Sequence, residues 1–584
     1  MALLLTGFFW GIIILYLDDI LKQKMQKKIQ TQWKKLRSVV NAYVHHEPEQ
    51  KLGRRQKYLY LLLGAVIVIG ALAIRTHHIS SLPPGIYPDE AVNGTDAINA
   101  IETGHFHLFY PNNYGREGLY INLIALGFVF FGVSVITLKM WSIFFGTLTV
   151  LGIIFLGREL FRSWQAGLLA GFLYATTFWA INFNRIAFRA NMLPFVLVFS
   201  FYFLFKGLRT GKKIDYALAG VLFGIGAHTY IAFRAAPAIL IALFVALILA
   251  KRSFLKNYWK EIAIYLLSML IVALPMLLTF YVHPEFFETR AESVSVFSPK
   301  VNHGHPWQAL LTSTRLTFEM FNFKGDQNWR HNLPSQPELQ SWTGTFFLIG
   351  IIFLFFQLFY WLFRRIKNGV RNDNLILPVL LLSWLLVMLI PEIMAYEGLP
   401  HALRAIGSLP AALLIAVYAV EVFRRWIMKI ENKYLQIPLY ILLLSAVLFS
   451  GYISTKRYFV DWSQKLDIHP AFSQNLKNMA LYLNSAPDSY HKYVIANAGG
   501  QIMDDGLPVS AEVVKMLTYY RTPGITYLRP DFDPSVIKFP AKVVLMYYDG
   551  VAIAKIKSQY SNVYVQKLDP QPGNGTDCFV ININ

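Results

Sequence analysis

The chain has 584 residues, 55% of them hydrophobic and 15% aromatic, with a mean hydropathy of +0.41 and many apolar runs near bilayer-crossing length. A single cysteine, Cys578, excludes an intrachain disulfide and a cysteine-based metal cluster. The formal charge of +20 would suggest nucleic acid in a soluble protein, but here the basic residues gather in loops between apolar runs. Membrane topology accounts for that charge, so no nucleic-acid partner is expected.

Residues 1–17 are apolar but lack a basic leader region and a small-x-small cleavage site. They read as an anchor with its N-terminus outside, because eleven Lys and Arg follow between Lys22 and Lys57. That basic segment reads as a cytosolic linker lying against anionic lipid. Spans follow near 58–75, 139–157, 165–182, 192–207, 214–230, 236–250, 260–281, 341–363, 376–393, 404–422 and 436–455. The positive-inside rule puts the basic loops Lys206–Lys213, Lys251–Lys260, Arg364–Arg371 and Arg424–Lys433 in the cytosol. Parity then leaves Leu119–Phe131 without a crossing, so it is read as an amphipathic helix in the outer interface. Large outer loops cover 76–138 and 282–340.

From Lys456 the hydrophobicity falls, and 456–584 reads as an extracytoplasmic α/β domain. Its strand-like runs are Tyr493–Ala496, Lys542–Tyr548, Asn562–Lys567 and Cys578–Ile583; Ala511–Tyr520 and Val551–Ser558 have helical periodicity. The expected architecture is a mostly α-helical polytopic membrane protein of about 11–13 transmembrane helices with this domain appended. Three regions follow from it: 1–57, anchor and linker; 58–455, transmembrane catalytic domain; and 456–584. The triplets Asn93-Gly94-Thr95 and Asn574-Gly575-Thr576 match the glycosylation sequon by chance. The expected location is a prokaryotic cell (inner) membrane.

The same parity map collects ionisable residues on the outer face. Asp89 and Glu90 open a helix after Pro88, where acids suit the positive end of the dipole. Arg116 and Glu117, Arg185, Arg189 and Asn191, His228, Tyr230 and Arg234, Arg290, and His401 with Arg404 join them from separate segments. Bland roles exist for each: span-end arginines snorkel, an interhelical histidine is satisfied locally, and Glu117 caps a helix. Yet arginine is the wrong sign for an outer face. Several converging from separate segments favour an anionic ligand, and their fork geometry suits phosphate.

One chemistry combines these parts. A sugar on a polyprenyl phosphate presents its anomeric carbon at headgroup level, Asp89 takes the proton of an acceptor hydroxyl, and arginines neutralise the departing phosphate. Attack opposite the leaving group inverts the anomeric centre. A transporter or flippase of lipid-linked sugars is the alternative, but it would place charges at the bilayer midplane between repeats, and no repeat is visible. A membrane scaffold leaves the arginines unexplained.

The run Y-P-D-E-A-V-N-G-T-D-A, then E-T-G-H-F and Y-G-R-E-G-L-Y, resembles the first outer loop of GT-C membrane glycosyltransferases. The similarity is to the protein O-mannosyltransferase-like group, which includes the aminoarabinose–lipid A transferases. It continues through N-R-I-A-F-R-A-N-M-L-P and G-A-H-T-Y-I-A-F-R and covers roughly residues 58–455. The resemblance implies a GT-C fold, a polyprenyl-phosphate sugar donor, an acceptor hydroxyl on protein, glycolipid or glycan, and Asp89 at the family's catalytic aspartate. Arg116-Glu117 falls near the relatives' Glu-Lys-Pro-Pro segment without its lysine and prolines. Asn191 stands where relatives often carry an aspartate. A neutral amide is a poorer ligand for a hard cation, so arginine neutralisation is preferred over a divalent metal, with Glu117 and His228 as the alternative metal ligands.

Overall fold

The computed structural model describes residues 52–251, 253–287, 294–369, 373–568 and 577–583. The anchor, most of the basic linker, Arg290 and the Asn574 sequon lie outside the described residues.

Among the described residues, nine helical stretches are long and apolar enough to cross a membrane, and the protein is a multi-pass integral membrane protein. They are carried by α1 (Arg54–Thr76), α4 (Val135–Phe161), α7 (Met192–Thr210), α9 (Pro237–Ala250), α10 (Phe254–Val282), α12 (Ser341–Asn368), α13 (Ile376–Ile393), α14 (Leu409–Ile427) and α15 (Lys433–Lys456). The two remaining runs read as spans are interrupted. Residues 165–182 form α5 (Trp164–Thr176), stop at extended Thr177 and restart as the short α6 (Phe178–Phe183). Residues 214–230 form α8 (Lys213–Ile225), which tightens into a 3₁₀ turn at Gly226–His228. Both breaks fall at the end of the bundle that holds the candidate site.

Local chemistry sets the helix ends. Ser134 and Ser163 cap α4 and α5 by accepting from Thr137 N and Ala166 N, and left-handed Gly211 stops α7. Small residues let α4 and α5 close on each other: a Cβ on Gly157 would stand 3.2 Å from Gly167 Cα. The α14 stretch is the most enclosed, with 83% of its apolar window buried against 11% for α1 at the rim.

Two shorter helices lie outside this bundle, α2 (Pro88–Thr103) and α3 (Leu119–Phe131), joined by a hairpin of β1 (Phe109–Tyr110) and β2 (Arg116–Glu117). The segment read as interfacial is thus a helix of 13 residues, too short to cross. The connection between α10 and α12 contributes α11 (Pro306–Asn322).

After α15 come α16 (Gln474–Ser485), β3 (His491–Ile495), α17 (Ala511–Thr518), β4 (Thr526–Leu528), β5 (Ala541–Leu545), α18 (Gly550–Gln559), β6 (Val563–Leu568) and β7 (Cys578–Ile583). The sheet order is β4-β3-β5-β7-β6, with β3 parallel to β4 and β5, and β7 antiparallel to β5 and β6. The short β4, with one buried residue of three, was not legible as a strand. Alternation gives the sheet two apolar faces. Tyr493, Ile495, Val543, Leu545 and Ile581 pack in one core, while Val494, Val544 and Val580 pack in another. That second core also contains Ala91, Ala97 and Ile98 of α2 and Tyr120 and Ile124 of α3. The α/β region therefore packs on the helix that carries Asp89.

Candidate active site

The geometry begins with α2. Tyr87 is extended, Pro88 fixes the first turn, and Glu90 reaches back so that its Oε1 accepts from Tyr87 N at 3.1 Å. Its Oε2 accepts from Ala187 N at 2.8 Å, tying α2 to the segment after α6. Glu90 is fully buried, and that burial raises its carboxyl above the ordinary range, with Lys139 pulling the other way. Asp89, one position earlier, is half-buried and faces the cavity.

The hairpin supplies the facing wall. Asn113, Tyr114 and Gly115 all have positive φ (51°, 65° and 80°), which turns the chain sharply between β1 and β2. The turn carries Asn113 over α2, where its Nδ2 donates to Asp89 Oδ1. Arg116 is buried and donates to Asn93 Oδ1 at 2.8 Å and to the Asp96 carboxylate, both on α2. Burial lowers its guanidinium below the usual value, and Asp96 offsets part of that. Glu117 accepts from Arg189 Nε at 2.6 Å. A 3₁₀ turn at Arg189–Asn191 presents Arg189, whose guanidinium also lies 5.4 Å from the Tyr230 ring centroid. A second 3₁₀ turn, Ile231–Ala235, presents Arg234, which donates to Phe287 O at 2.7 Å and stacks on Phe287 and Phe280.

Asp89, Arg116, Glu117, Arg189, Tyr230 and Arg234 line one cavity of about 120 Å³, together with Asn113 and Leu403. It is open to the surface and walled in part by Phe109, Phe188 and Phe286. Asp89, together with the Arg189-paired Glu117, thus shares a partly apolar cleft with three arginines. Such a site suits an anion with an apolar body and a proton to be taken at the carboxylate.

The other sequence candidates sit elsewhere. Arg185, four residues from Arg189, is fully buried and donates to the carbonyls of Ile74, Arg75, His77 and Leu82 and to the Tyr458 hydroxyl. It ties the end of α1 to the bundle, leaving no donor directed at the cavity. Asn191 points its amide at Phe183 O and Phe188 O (2.7 and 3.1 Å) and closes the loop beneath Arg189. His228 donates Nε2 to Val272 O at 2.9 Å on α10. Arg404 donates to Glu397 O at 2.6 Å and to the Glu397 carboxylate. His401 groups with Asp326 and His331. Glu90, though beside Asp89, caps α2 instead of lining the cleft. Glu117 Oε2 is engaged by Arg189, and His228 Nε2 by Val272 O.

Asn93, Asp96 and Asn113 were not singled out from the sequence. Asn93 is buried, with Nδ2 donating to Ala187 O and Oδ1 accepting from Arg116, which removes that sequon from the surface. The available signal was spacing: positions 89, 93 and 96 share one face of a helix, and a polar stripe there aims at the hairpin.

Residues 119–298 match the family model described as dolichyl-phosphate-mannose-protein mannosyltransferase. The matched stretch includes Arg189, Tyr230 and Arg234 and begins after Asp89 and the hairpin. No curated protein matches the chain. Among solved structures, ArnT from Cupriavidus metallidurans in the apo state is similar at 12% identity and a TM-score of 0.50, over 90% of this chain and 98% of that one. ArnT from the same organism bound to undecaprenyl phosphate gives 12% and 0.48, over 91% and 99%. The S. cerevisiae Pmt1–Pmt2 complex bound to the sugar donor gives 17% and 0.31, over 42% and 36%. The chain has the GT-C fold, and the family match within it supports a membrane glycosyltransferase.

Proposed function

We propose that the protein transfers a sugar from a polyprenyl-phosphate donor to an acceptor hydroxyl on the extracytoplasmic face of the membrane. The observation that carries this reading is the single cleft in which Asp89 faces Arg116, Arg189 and Arg234. Asp89 accepts the acceptor's proton while the hydroxyl oxygen bonds to the anomeric carbon. The bond from that carbon to the phosphate oxygen breaks, and the lipid phosphate leaves with the electron pair. Fixed guanidinium charge stabilises the phosphate as the negative charge develops. Attack opposite the leaving group gives inversion.

The supporting residues position these groups. Asn113 orients the Asp89 carboxylate through its amide. Glu117 and Asp96 hold Arg189 and Arg116 in place, so these arginines need little reorganisation when the phosphate arrives. The aromatic wall of Phe109, Phe188 and Phe286 faces the apolar part of the donor. The acceptor is a hydroxyl of a protein, a glycolipid or a glycan, and the open mouth of the cleft is its route of entry.

The test is Asp89→Asn in purified protein supplied with polyprenyl-phosphate sugars. Transfer falls about 10²–10⁴-fold, the range for losing a general base, while donor binding persists. Equal transfer by variant and parent removes Asp89 from the reaction. Product of unchanged anomeric configuration would overturn the single inverting step.

A further inference from the structure

Leu403 lines the cleft, and the residues just before it belong to a second, buried polar cluster. One ring nitrogen each of His331 and His401 and one Asp326 carboxylate oxygen lie within 4.8 Å of one another. The imidazole centroids are 4.6 Å apart. Asp326 and His331 are 1% and 3% exposed, so water does not freely solvate them. Asp326 Oδ2 accepts from His331 Nδ1 and from Ala402 N, each at 2.8 Å, bridging two outer segments that are far apart in sequence.

Acceptors outnumber donors around this group. Glu338 Oε1 accepts from Asp326 N at 3.0 Å, and its buried Oε2 meets no donor among the described residues. Glu392 Oε1 accepts from His401 N at 2.7 Å, and its buried Oε2 likewise meets no donor among the described residues. Asn182 Nδ2 donates to His331 O at 3.0 Å, and its buried Oδ1 meets no donor among the described residues. The nearby guanidiniums are engaged: Arg404 on Glu397, and Arg457 on Pro337 O and Gln336 Oε1. Buried oxygens with no donor are costly, and a cation or its bound water at this group would offset that cost.

We propose that Asp326, His331 and His401 bind a divalent transition-metal ion of the zinc class, which pins the 326–338 loop to the 401–404 loop behind the wall of the cleft. Two imidazoles and a carboxylate form a borderline-soft donor set, suited to zinc and ill-suited to calcium or magnesium, which take oxygen ligands. Three protein ligands leave room for a water, whose protons would satisfy the surplus oxygens of Glu338, Glu392 or Asn182. The consequence reaches the first outer loop. Arg330, next to His331, lies 4.0 Å over the Tyr87 ring, and Tyr87 begins the helix that carries Asp89. The site is independent of whether Asp89 acts as base.

The full-length protein in detergent is stripped with a chelator and titrated with Zn²⁺ alone, with bound metal read by elemental analysis. About one zinc per chain is expected, with parent and Asp89→Asn alike. His331→Gln and His401→Gln weaken it more than about 10-fold. In the parent, Co²⁺ in place of zinc gives the visible d–d bands of a four- or five-coordinate histidine site, a readout that needs no variant to fold. Zinc raises the thermal midpoint of the parent and leaves that of the histidine variants unmoved. Absence of stoichiometric zinc and of cobalt bands in the parent overturns the proposal, as does unchanged affinity in the two histidine variants.

Discussion

Asp89 and Glu90 are adjacent acids with opposite surroundings. Asp89 meets the cleft and one amide, whereas Glu90 is sealed in and accepts two backbone N–H groups. Glu90's raised carboxyl has a consequence for stability with a definite sign. Its folded-state affinity for a proton exceeds that of the unfolded chain, so its favourable contribution is complete below the ordinary carboxylate range near 4.5 and is lost as pH rises through the raised value. Glu90→Gln removes that dependence. The difference in thermal midpoint, parent minus variant, is therefore larger at acid pH than at pH 7–8, measured over a pH series in one detergent. A flat difference contradicts the assignment. The arginines show where residue-level reading stops. Arg185 and Arg189 stand four apart in N-R-I-A-F-R with equal claims in sequence. Only the fold decides, because Arg185 meets four carbonyls and a tyrosine hydroxyl from α1, the loop after it and the segment after α15, whereas Arg189 meets Glu117 at the cleft. Acceptors that far away in sequence leave no local trace.

At the scale of elements, apolar runs were legible because a bilayer demands about 20 such residues regardless of partners. The interruptions in α5–α6 and after α8 were not, since Thr177 and Gly226 are unremarkable inside apolar runs. These breaks and the adjoining 3₁₀ turns give Arg189 and Arg234 their positions, so the site depends on the features that periodicity hides. The hairpin is more readable: Y-G-R-E-G places glycine where backbone strain requires it. Gly115 has φ +80°, and a Cβ there would lie 2.6 Å from the Phe109 ring. Gly104 has φ +71° with nothing within 4 Å. Both Gly→Ala substitutions cost about 1–2 kcal/mol of backbone strain. Only Gly115→Ala also moves the turn that carries Asn113 and Arg116, and displacements of that kind lower turnover about 10²-fold. Transfer assays on the two variants, matched for thermal midpoint, separate the effects. Equal activity would mean that the hairpin does not position the reacting groups.

For the whole molecule, the α/β region and the bundle meet on α2. Gly94 faces Met516 of α17 so closely that any Cβ would collide with the thioether, and Met516 is itself 1% exposed. Ala91, Ala97 and Ile98 on the same helix share a core with Leu476, Met479 and Val513. Removing residues 456–584 would strip apolar cover from the helix that holds Asp89, so loss of transfer on truncation would report lost packing as readily as lost acceptor recognition. A compensating pair is the sharper test. Gly94→Leu overpacks the contact and costs about 1–3 kcal/mol, beyond any gain in helix propensity. Met516→Ala opens a hole and costs about 2–5 kcal/mol. If the two side chains share one space, the double variant recovers much of both losses, because the leucine fills the volume the thioether vacated. Thermal midpoints for the four proteins of the cycle give the coupling, and transfer rates should follow the same order. Simple additivity of the two losses would place the docking energy elsewhere on α2, and recovery of stability without recovery of transfer would assign the α/β region a direct part in the reaction.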